Sequence, residues 1–379
     1  MISFNQYNIS KITILLIGFI HFPCYGVFDS ADERKVYAIS SIFLHSEPVS
    51  ASAFIGDWDD ALVSGENVFT YNYFEFGAEY KQYRIARIFR YDYILTFNEQ
   101  TAELFYRDKN DLPIDKSEHY ELFLAPQYIR SQGILFAYRF ELSSRFSADI
   151  AITYLQGVEL LDGEANVSVS GADFVDGKVD NANVAANYHY SEPELGEQER
   201  DYYYAESNSF EPWAPIKPKG KGFSSSLNLK WQATDALYMA LQVDDLYHKV
   251  SWKQSPYTYD RYDYSPNVNV FPQFIGKLGL ETFKQRLDPR VKLMVDYDLN
   301  DTFSIWSMYF HMPIKDFQQL GLQADLMSTR WRISYDFEAE AIGLTIINRF
   351  INLDLLSDDY LNYKNAHTLK IKLGIHLPF

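Results

Sequence analysis

Polar and apolar residues alternate along much of the chain. In five stretches every second residue is mainly apolar or small, and these stretches are 134–142, 223–231, 237–244, 291–299 and 331–337. A period of two places each set of residues on one face of a β-strand. The strands that these stretches predict are about ten residues long, which matches a tilted crossing of the hydrocarbon layer of a membrane. Lys, Arg and Asp lie at mid-strand on the polar faces, as a wet interior allows.

Two kinds of connection separate the alternating stretches. The short polar links are 142–146, 231–235 and 299–303, and the longer connections are roughly 44–66, 157–222, 253–272 and 351–365. Short turns at one end and long loops at the other are typical of membrane barrels. We therefore predict an all-β fold, a single transmembrane antiparallel β-barrel of about 14–16 strands with long extracellular loops. A soluble all-β domain with one packed face is the alternative.

The N-terminus carries one apolar run, residues 12–20, which is too short to span a bilayer. Lys11 precedes it and Cys24-Tyr25-Gly26 follows it, the arrangement of a secretory signal. We predict a signal peptide over 1–26 and the barrel over 27–379; an N-terminal anchor helix is the alternative. Cleavage would remove Cys24, the single cysteine, which argues against disulfides, thiol catalysis and thiolate metal sites.

The last strand, 368–379, alternates without a break and ends on an aromatic residue. Its apolar face consists of Leu369, Ile371, Leu373, Ile375, Leu377 and Phe379. This segment resembles the assembly signal of Gram-negative outer-membrane β-barrel proteins, a class rather than one particular family. The resemblance implies a location in the cell outer membrane. It also implies that Leu373, Ile375, Leu377 and Phe379 face lipid and are recognised by the barrel-assembly machinery.

Composition and charge narrow the choice of partners. The chain holds 30 Tyr and 28 Phe, yet its mean hydropathy is −0.26, so its apolar surface is dispersed among polar residues. A formal net charge of −17 argues against nucleic acid, since phosphate binding needs a cationic surface. Outer-membrane lipid and lipopolysaccharide are the expected surroundings, where carboxylates and phosphates can share divalent cations. The alternative interpretation of the negative charge is that it only keeps the loops soluble in water.

The segment 157–222 is the largest irregularity. It contains 13 carboxylates against five basic residues. We predict a large acidic loop that either stands outside the membrane or folds into the pore, with a mobile solvated loop as the alternative. Alternation over 165–171 and 183–190 suggests that part of this segment forms a hairpin above the membrane.

Charged residues on the presumed inner face form the candidate site. They are Arg84, Arg90, Asp92, Arg139, Glu141, Lys292, Asp296, Arg332 and Asp336. Charges of both signs on opposed walls would create a transverse field that selects small polar solutes. In the alternative, the charges pair with one another and close the barrel. Arg87 breaks the pattern on the lipid side and suggests an interface there.

Catalytic and metal chemistry find little support in the sequence. His189-Tyr190-Ser191 matches the first part of the His-x-Ser motif of outer-membrane phospholipases, but Tyr203 stands where the Asn partner is expected. The other histidines lack metal-ligand spacing, so we expect no metal and no cofactor. We predict porin-like passage of small solutes across the outer membrane. The alternatives are a closed barrel serving as a receptor, adhesin or assembly scaffold, and a lipid hydrolase.

Overall fold

The computed structural model describes residues 34–175, 178–179, 181–191, 219–263 and 273–379. The predicted signal peptide, 1–26, lies outside the described residues, and so does the middle of the predicted 157–222 loop. The boundary between signal peptide and barrel therefore stays a prediction.

The chain is built almost entirely of strands. They are β1 (Lys35–Ser46), β2 (Asn67–Tyr80), β3 (Tyr83–Phe97), β4 (His119–Ser143), β5 (Phe146–Ser170), β6 (Phe174–Val175), β7 (Lys178–Val179), β8 (Asn183–Tyr190), β9 (Gly220–Gln232), β10 (Leu237–Asp263), β11 (Gln273–Gln285), β12 (Arg290–Asp298), β13 (Phe303–His311), β14 (Asp316–Leu326), β15 (Thr329–Asp336), β16 (Ala341–Ile347), β17 (Ile351–Ser357) and β18 (Thr368–Pro378). Two α-helices, α1 (Ala51–Ile55) and α2 (Glu99–Lys109), lie between strands. Neither of these helices, nor any other in the described ranges, has the length and hydropathy needed to cross a membrane.

Fourteen strands close into one antiparallel barrel, which confirms the predicted fold class. The order around the barrel is β1 to β5, then β9, β10 and β12 to β18. β18 pairs back onto β1 from Lys35 opposite Pro378 to His45 opposite Thr368. The last strand therefore closes the barrel. A closed barrel has no free sheet edge within the bilayer, where unpaired backbone groups cannot bond to water.

Short turns lie at one end of the barrel. The predicted links are present there between β4 and β5, between β9 and β10, and between β12 and β13. The described chain ends meet at the same end, where the Phe379 N–H donates to the Arg34 carbonyl over 2.9 Å. We refer to this end as periplasmic and to the opposite end as extracellular, following the asymmetry of outer-membrane barrels.

The predicted long connections are partly wrong because strands occupy parts of them, and because β5 and β10 extend beyond the barrel. Of the predicted loop 351–365, residues 351–357 form β17, and 253–272 contains the end of β10 before β11 begins. The predicted loop 157–222 begins inside β5 and ends inside β9. The connection between β3 and β4, which carries α2, was not among the predicted long connections.

Above the barrel these extensions form a small sheet that we call the platform, made of β8, β11 and the extracellular halves of β5 and β10. β8 pairs with β5 on one side and with β10 on the other, and β11 pairs along β10. The predicted hairpin is thus present, since Ala165 of β5 lies opposite Ala186 of β8.

The outward face of the barrel is apolar. Large side chains that are about half exposed or more include Phe76, Ile85, Ile152, Leu322 and Ile333. On β18, Ile375 and Leu377 are outward and exposed, and Phe379 is the most exposed of the final residues. An apolar wall of this kind is stable against hydrocarbon and not against water. Recognition of these last residues by assembly machinery stays a prediction.

Candidate functional site

Four charged side chains meet inside the barrel. They are Arg90 and Asp92 on β3, Asp245 on β10 and Arg290 on β12, and we call them the quartet. The Arg90 guanidinium donates to both Asp245 carboxylate oxygens over 2.7 and 2.8 Å and to Asp92 over 2.9 Å. Arg290 donates to Asp245 over 2.8 Å and lies 3.4 Å from Asp92. Two positive and two negative charges therefore cancel.

The quartet crosses the lumen, and the cavity beside it is small. β3 and β10 are separated by three strands around the barrel wall, so the Arg90–Asp245 bond spans the interior. Arg90, Asp92 and Asp245 are each no more than 7% exposed. A cavity of about 10 Å³ beside Tyr71 and Asp245 has room for roughly one water molecule.

A bulge in β10 brings Asp245 into the quartet. The pairing with β9 shifts between Val243 and Tyr247, and Asp245 has a positive φ of 56°. A bulge changes the direction in which the following side chains point. Asp244 and Asp245 therefore both lie on the inner side, although strict alternation would place Asp245 in the lipid. The Ser224 hydroxyl also donates to Asp245, over 2.7 Å.

Aromatic side chains fill the extracellular half of the lumen. The ring cluster consists of Phe43, Phe69, Tyr71, Trp306, Phe310 and Phe317, all 9% exposed or less. Rings from nearly opposite walls meet: the centroid of Phe43 lies 5.2 Å from that of Phe317 and 6.3 Å from that of Phe310. The Arg290 guanidinium lies 4.6 Å from the Tyr71 ring centroid, so the ring cluster and the quartet are in contact.

The remaining predicted lumen charges on β3 and β4 lie apart from the quartet. Arg84 is 3.7 Å from Glu75, which also accepts hydrogen bonds from the Tyr37 and Tyr73 hydroxyls. Arg139 pairs with Asp149 over 2.9 Å. Glu141 is exposed beside the periplasmic turn between β4 and β5.

The predicted charges of the later strands also have partners inside the barrel. The Lys292 ammonium lies 4.5 Å from the Phe310 ring centroid. Arg332 lies 3.9 Å from Asp296, and its guanidinium stacks over Trp306 at 4.1 Å. Asp336 accepts N–H bonds from Glu338 and Ala339 and one from the Gln319 side chain, so it holds the β15–β16 turn. Most of the predicted lumen charges thus bind an opposite charge, while Lys292 lies against a ring and Asp336 binds N–H groups.

Helices α1 and α2 form a cap above strands β1 to β4. Trp58 packs against Phe105 of α2 with ring centroids 4.7 Å apart and against Phe54 of α1 at 5.4 Å. At the base of the cap, Glu47 accepts from the Asn67 N–H and from Lys315. Burial raises the pKa of Glu47, but its bonds to His45, the Glu66 N–H and Lys315 outweigh burial and hold that pKa well below its usual range. Glu47 therefore stays ionised and fixes the cap to the rim.

The His-x-Ser motif lies in the platform, with its side chains turned to other partners. His189 bonds to Glu281 over 2.7 Å and stacks on Phe283 with centroids 4.0 Å apart. The Ser191 hydroxyl oxygen is buried and accepts the Leu160 N–H over 2.9 Å. This Ser and His are therefore engaged separately and do not form a nucleophile–base pair. In the parts of the chain that the structure covers, no group of three or more His, Cys, Asp or Glu side chains could hold a metal ion.

Comparisons with known proteins find only distant matches, and these are among solved structures. No family model and no curated protein matches the sequence. A mutant of the monoaromatic hydrocarbon channel TodX superposes with a TM-score of 0.43 at 10% identity, covering 92% of this chain and 90% of that one. The toluene transporter TbuX of Ralstonia pickettii gives 0.37 at 8% identity, with 91% and 88% covered. A FadL homologue of Pseudomonas aeruginosa gives 0.34 at 8% identity, with 91% and 88% covered.

The features of the chain itself define its class. It has a closed antiparallel barrel, an apolar outer wall, short turns at one end and its longest connections at the other. The protein is an outer-membrane β-barrel, located in the outer membrane of a Gram-negative cell.

Proposed function

We propose that the protein carries small apolar solutes, aromatic ones among them, across the outer membrane, and that its lumen is closed when no solute is bound. The observation that carries this proposal is the ring cluster. Inner positions of a water-filled barrel are polar, whereas here six ring side chains from nearly opposite walls occupy the extracellular half.

The closed lumen favours apolar over polar cargo on physical grounds. An aromatic solute that enters the ring cluster exchanges ring–ring contacts for ring–solute contacts of similar strength. A polar solute would lose its hydration among the same rings without gaining hydrogen bonds. The neutral quartet, next to the ring cluster, offers no net charge to attract an ion. This proposal replaces the prediction of small polar solutes, which was based on opposed charged walls in the lumen.

Trp306 provides the test, because it lies in the ring cluster and is 5% exposed. Nitrobenzene, an aromatic quencher, is titrated into the purified barrel in detergent. We expect a saturable loss of tryptophan emission in the wild type that disappears in Trp306→Phe. The matched control is Trp331→Phe, which removes an outward tryptophan that is 43% exposed. Quenching that rises linearly and equally in both variants would contradict the proposal, since it would report only partition into detergent.

The second candidate is a closed barrel that acts as a surface receptor or scaffold. The observation in its favour is the extracellular sheet and cap, which give the closed barrel an ordered outer surface. This candidate requires that aromatic solutes neither bind in the ring cluster nor cross with the protein. The quenching experiment therefore separates the two candidates.

A further inference from the structure

Four lysines surround one serine on the outer wall of the barrel. Ser251 of β10 lies opposite Lys221 of β9 on one side and opposite Lys284 of β11 on the other. Lys249 and Lys253 are two residues before and after Ser251 on the same strand. We propose that this lysine patch binds the phosphate groups of lipopolysaccharide, the phosphorylated glycolipid of the outer leaflet. This inference is independent of the proposed transport function.

The backbone directs these side chains away from the lumen. Val250 and Trp252, which alternate with Lys249, Ser251 and Lys253, are fully buried inside. Lys221, Lys253 and Lys284 are exposed, and Lys249 is half-buried. Adjacent strands lie about 4.8 Å apart, so Lys221 and Lys284 are roughly 10 Å apart at the backbone. Flexible lysine side chains at this spacing can converge on one phosphate or hold two neighbouring ones.

Among the residues that the structure describes, no acid pairs with the patch, although the whole chain has a formal net charge of −17. None of the four lysines has an ion pair within the described ranges. The neighbouring outward positions on β5 are Tyr154, Gln156 and Val158, none of them charged. Glu159, the next residue, is bound by Arg130 over 2.9 Å and by the Tyr128 hydroxyl. Within the described ranges the patch is therefore a local excess of positive charge on an acidic protein.

The height of the patch fits a lipid headgroup. Lys221 is eleven residues from Gln232, where β9 ends at the periplasmic turn. At about 3.3 Å per residue and a strand tilt of about 40°, this is roughly 28 Å above that turn. The apolar band of such barrels is about 25 Å tall. The lysines therefore lie at the extracellular edge of the apolar wall.

Directly below the patch the wall is apolar. Phe223, Leu246 and Tyr247 are each more than half exposed, and Tyr154 packs against Phe223 with ring centroids 5.5 Å apart. Acyl chains can lie on this surface while the phosphates of the same molecule reach the lysines. A charged patch above an apolar wall matches an anionic glycolipid of the outer leaflet. An acidic protein fits less well, because it would have to enter the membrane to contact the apolar wall.

The test compares three ligands and two variants. The folded barrel, in mild detergent, is titrated with lipopolysaccharide, with dephosphorylated lipopolysaccharide and with inorganic phosphate. The variant replaces the patch (Lys221→Gln, Lys249→Gln, Lys253→Gln, Lys284→Gln). The control carries the same change of charge at exposed lysines elsewhere (Lys81→Gln, Lys109→Gln, Lys116→Gln, Lys364→Gln). We expect the patch variant to bind lipopolysaccharide about a hundredfold more weakly than the wild type, and the control to bind it normally.

The ligand comparison needs no variant and therefore holds even if the patch variant folds poorly. Wild-type protein should bind the dephosphorylated lipid about as weakly as the patch variant binds the intact lipid. Equal binding of the intact and dephosphorylated lipids, or of lipopolysaccharide by the patch variant and the wild type, would overturn the inference. So would binding of inorganic phosphate as tightly as the glycolipid, which would indicate an anion site without a lipid requirement.

Discussion

Asp245→Ala is expected to lower the free energy of unfolding of the barrel by about 3–5 kcal/mol, because it leaves buried positive charge without its acceptor. Asp245 accepts hydrogen bonds from Arg90, Arg290 and Ser224, and is 2% exposed. Without it, two guanidinium groups share the single carboxylate of Asp92. The measurement is a denaturant titration of the protein folded into lipid vesicles, followed by tryptophan fluorescence.

The neighbouring residue gives a matched control. Asp244 is half-buried, and its hydrogen bonds come from the Gln242 side chain. Asp244→Ala removes the same group one position away and should cost about 0.5–1.5 kcal/mol. The double variant Arg90→Met, Asp245→Leu keeps the interior neutral and should be more stable than Asp245→Ala alone. If Asp245→Ala and Asp244→Ala lowered the free energy of unfolding equally, the quartet would not hold the barrel walls together.

Trp252→Ala is expected to have the second large effect, a loss of about 3–5 kcal/mol in the free energy of unfolding. Trp252 is fully buried, and its indole ring fills the space beside Gly157 of β5 and Gly220 of β9, where no Cβ would fit. Its indole N–H donates to the Gln285 side chain over 3.2 Å. The contact lies where β9 begins, close to where the end of β8 pairs with β5, so the platform should lose order together with the barrel.

Two further variants separate the ring from its hydrogen bond. Trp252→Phe keeps an aromatic ring and loses the N–H, so its cost should be clearly smaller than that of Trp252→Ala. Gly157→Val places a branched side chain against the indole and should destabilise the fold although it adds apolar volume. Denaturant titration in vesicles measures all three variants. A stable Gly157→Val barrel would contradict the packing described for Trp252.

The outer wall and much of the inner face follow from alternation alone. Arg84, Arg90 and Asp92 lie on the inner side of β3 and Arg87 on the outer side, as a period of two predicts. Lipid imposes this pattern directly, because each outward side chain meets hydrocarbon. Arg87 bonds to Gln132 over 2.6 Å on that wall, and an interface there stays a prediction.

Alternation did not identify Asp245 and Arg290 as members of the site. Asp245 changes face only because of the bulge, and the signal was the pair Asp244-Asp245 that interrupts the alternation of β10. Arg290 occupies the first position of β12, just outside the stretch with clear alternation. That these two residues meet Arg90 across the lumen depends on how fourteen strands close, which no local pattern contains. The pairing of β8 between β5 and β10 is likewise non-local.

Uptake of two solutes by intact cells tests the proposed transport most directly. Cells that produce the folded barrel are compared with cells that lack it, using the apolar dye N-phenyl-naphthylamine and a labelled disaccharide. The lipopolysaccharide leaflet slows the dye in both cases, so added passage through a protein is measurable. We predict faster dye uptake in cells with the barrel and unchanged uptake of the disaccharide. Faster uptake of both solutes would indicate an open polar pore, and unchanged uptake of both a closed scaffold; either result would contradict the proposed function.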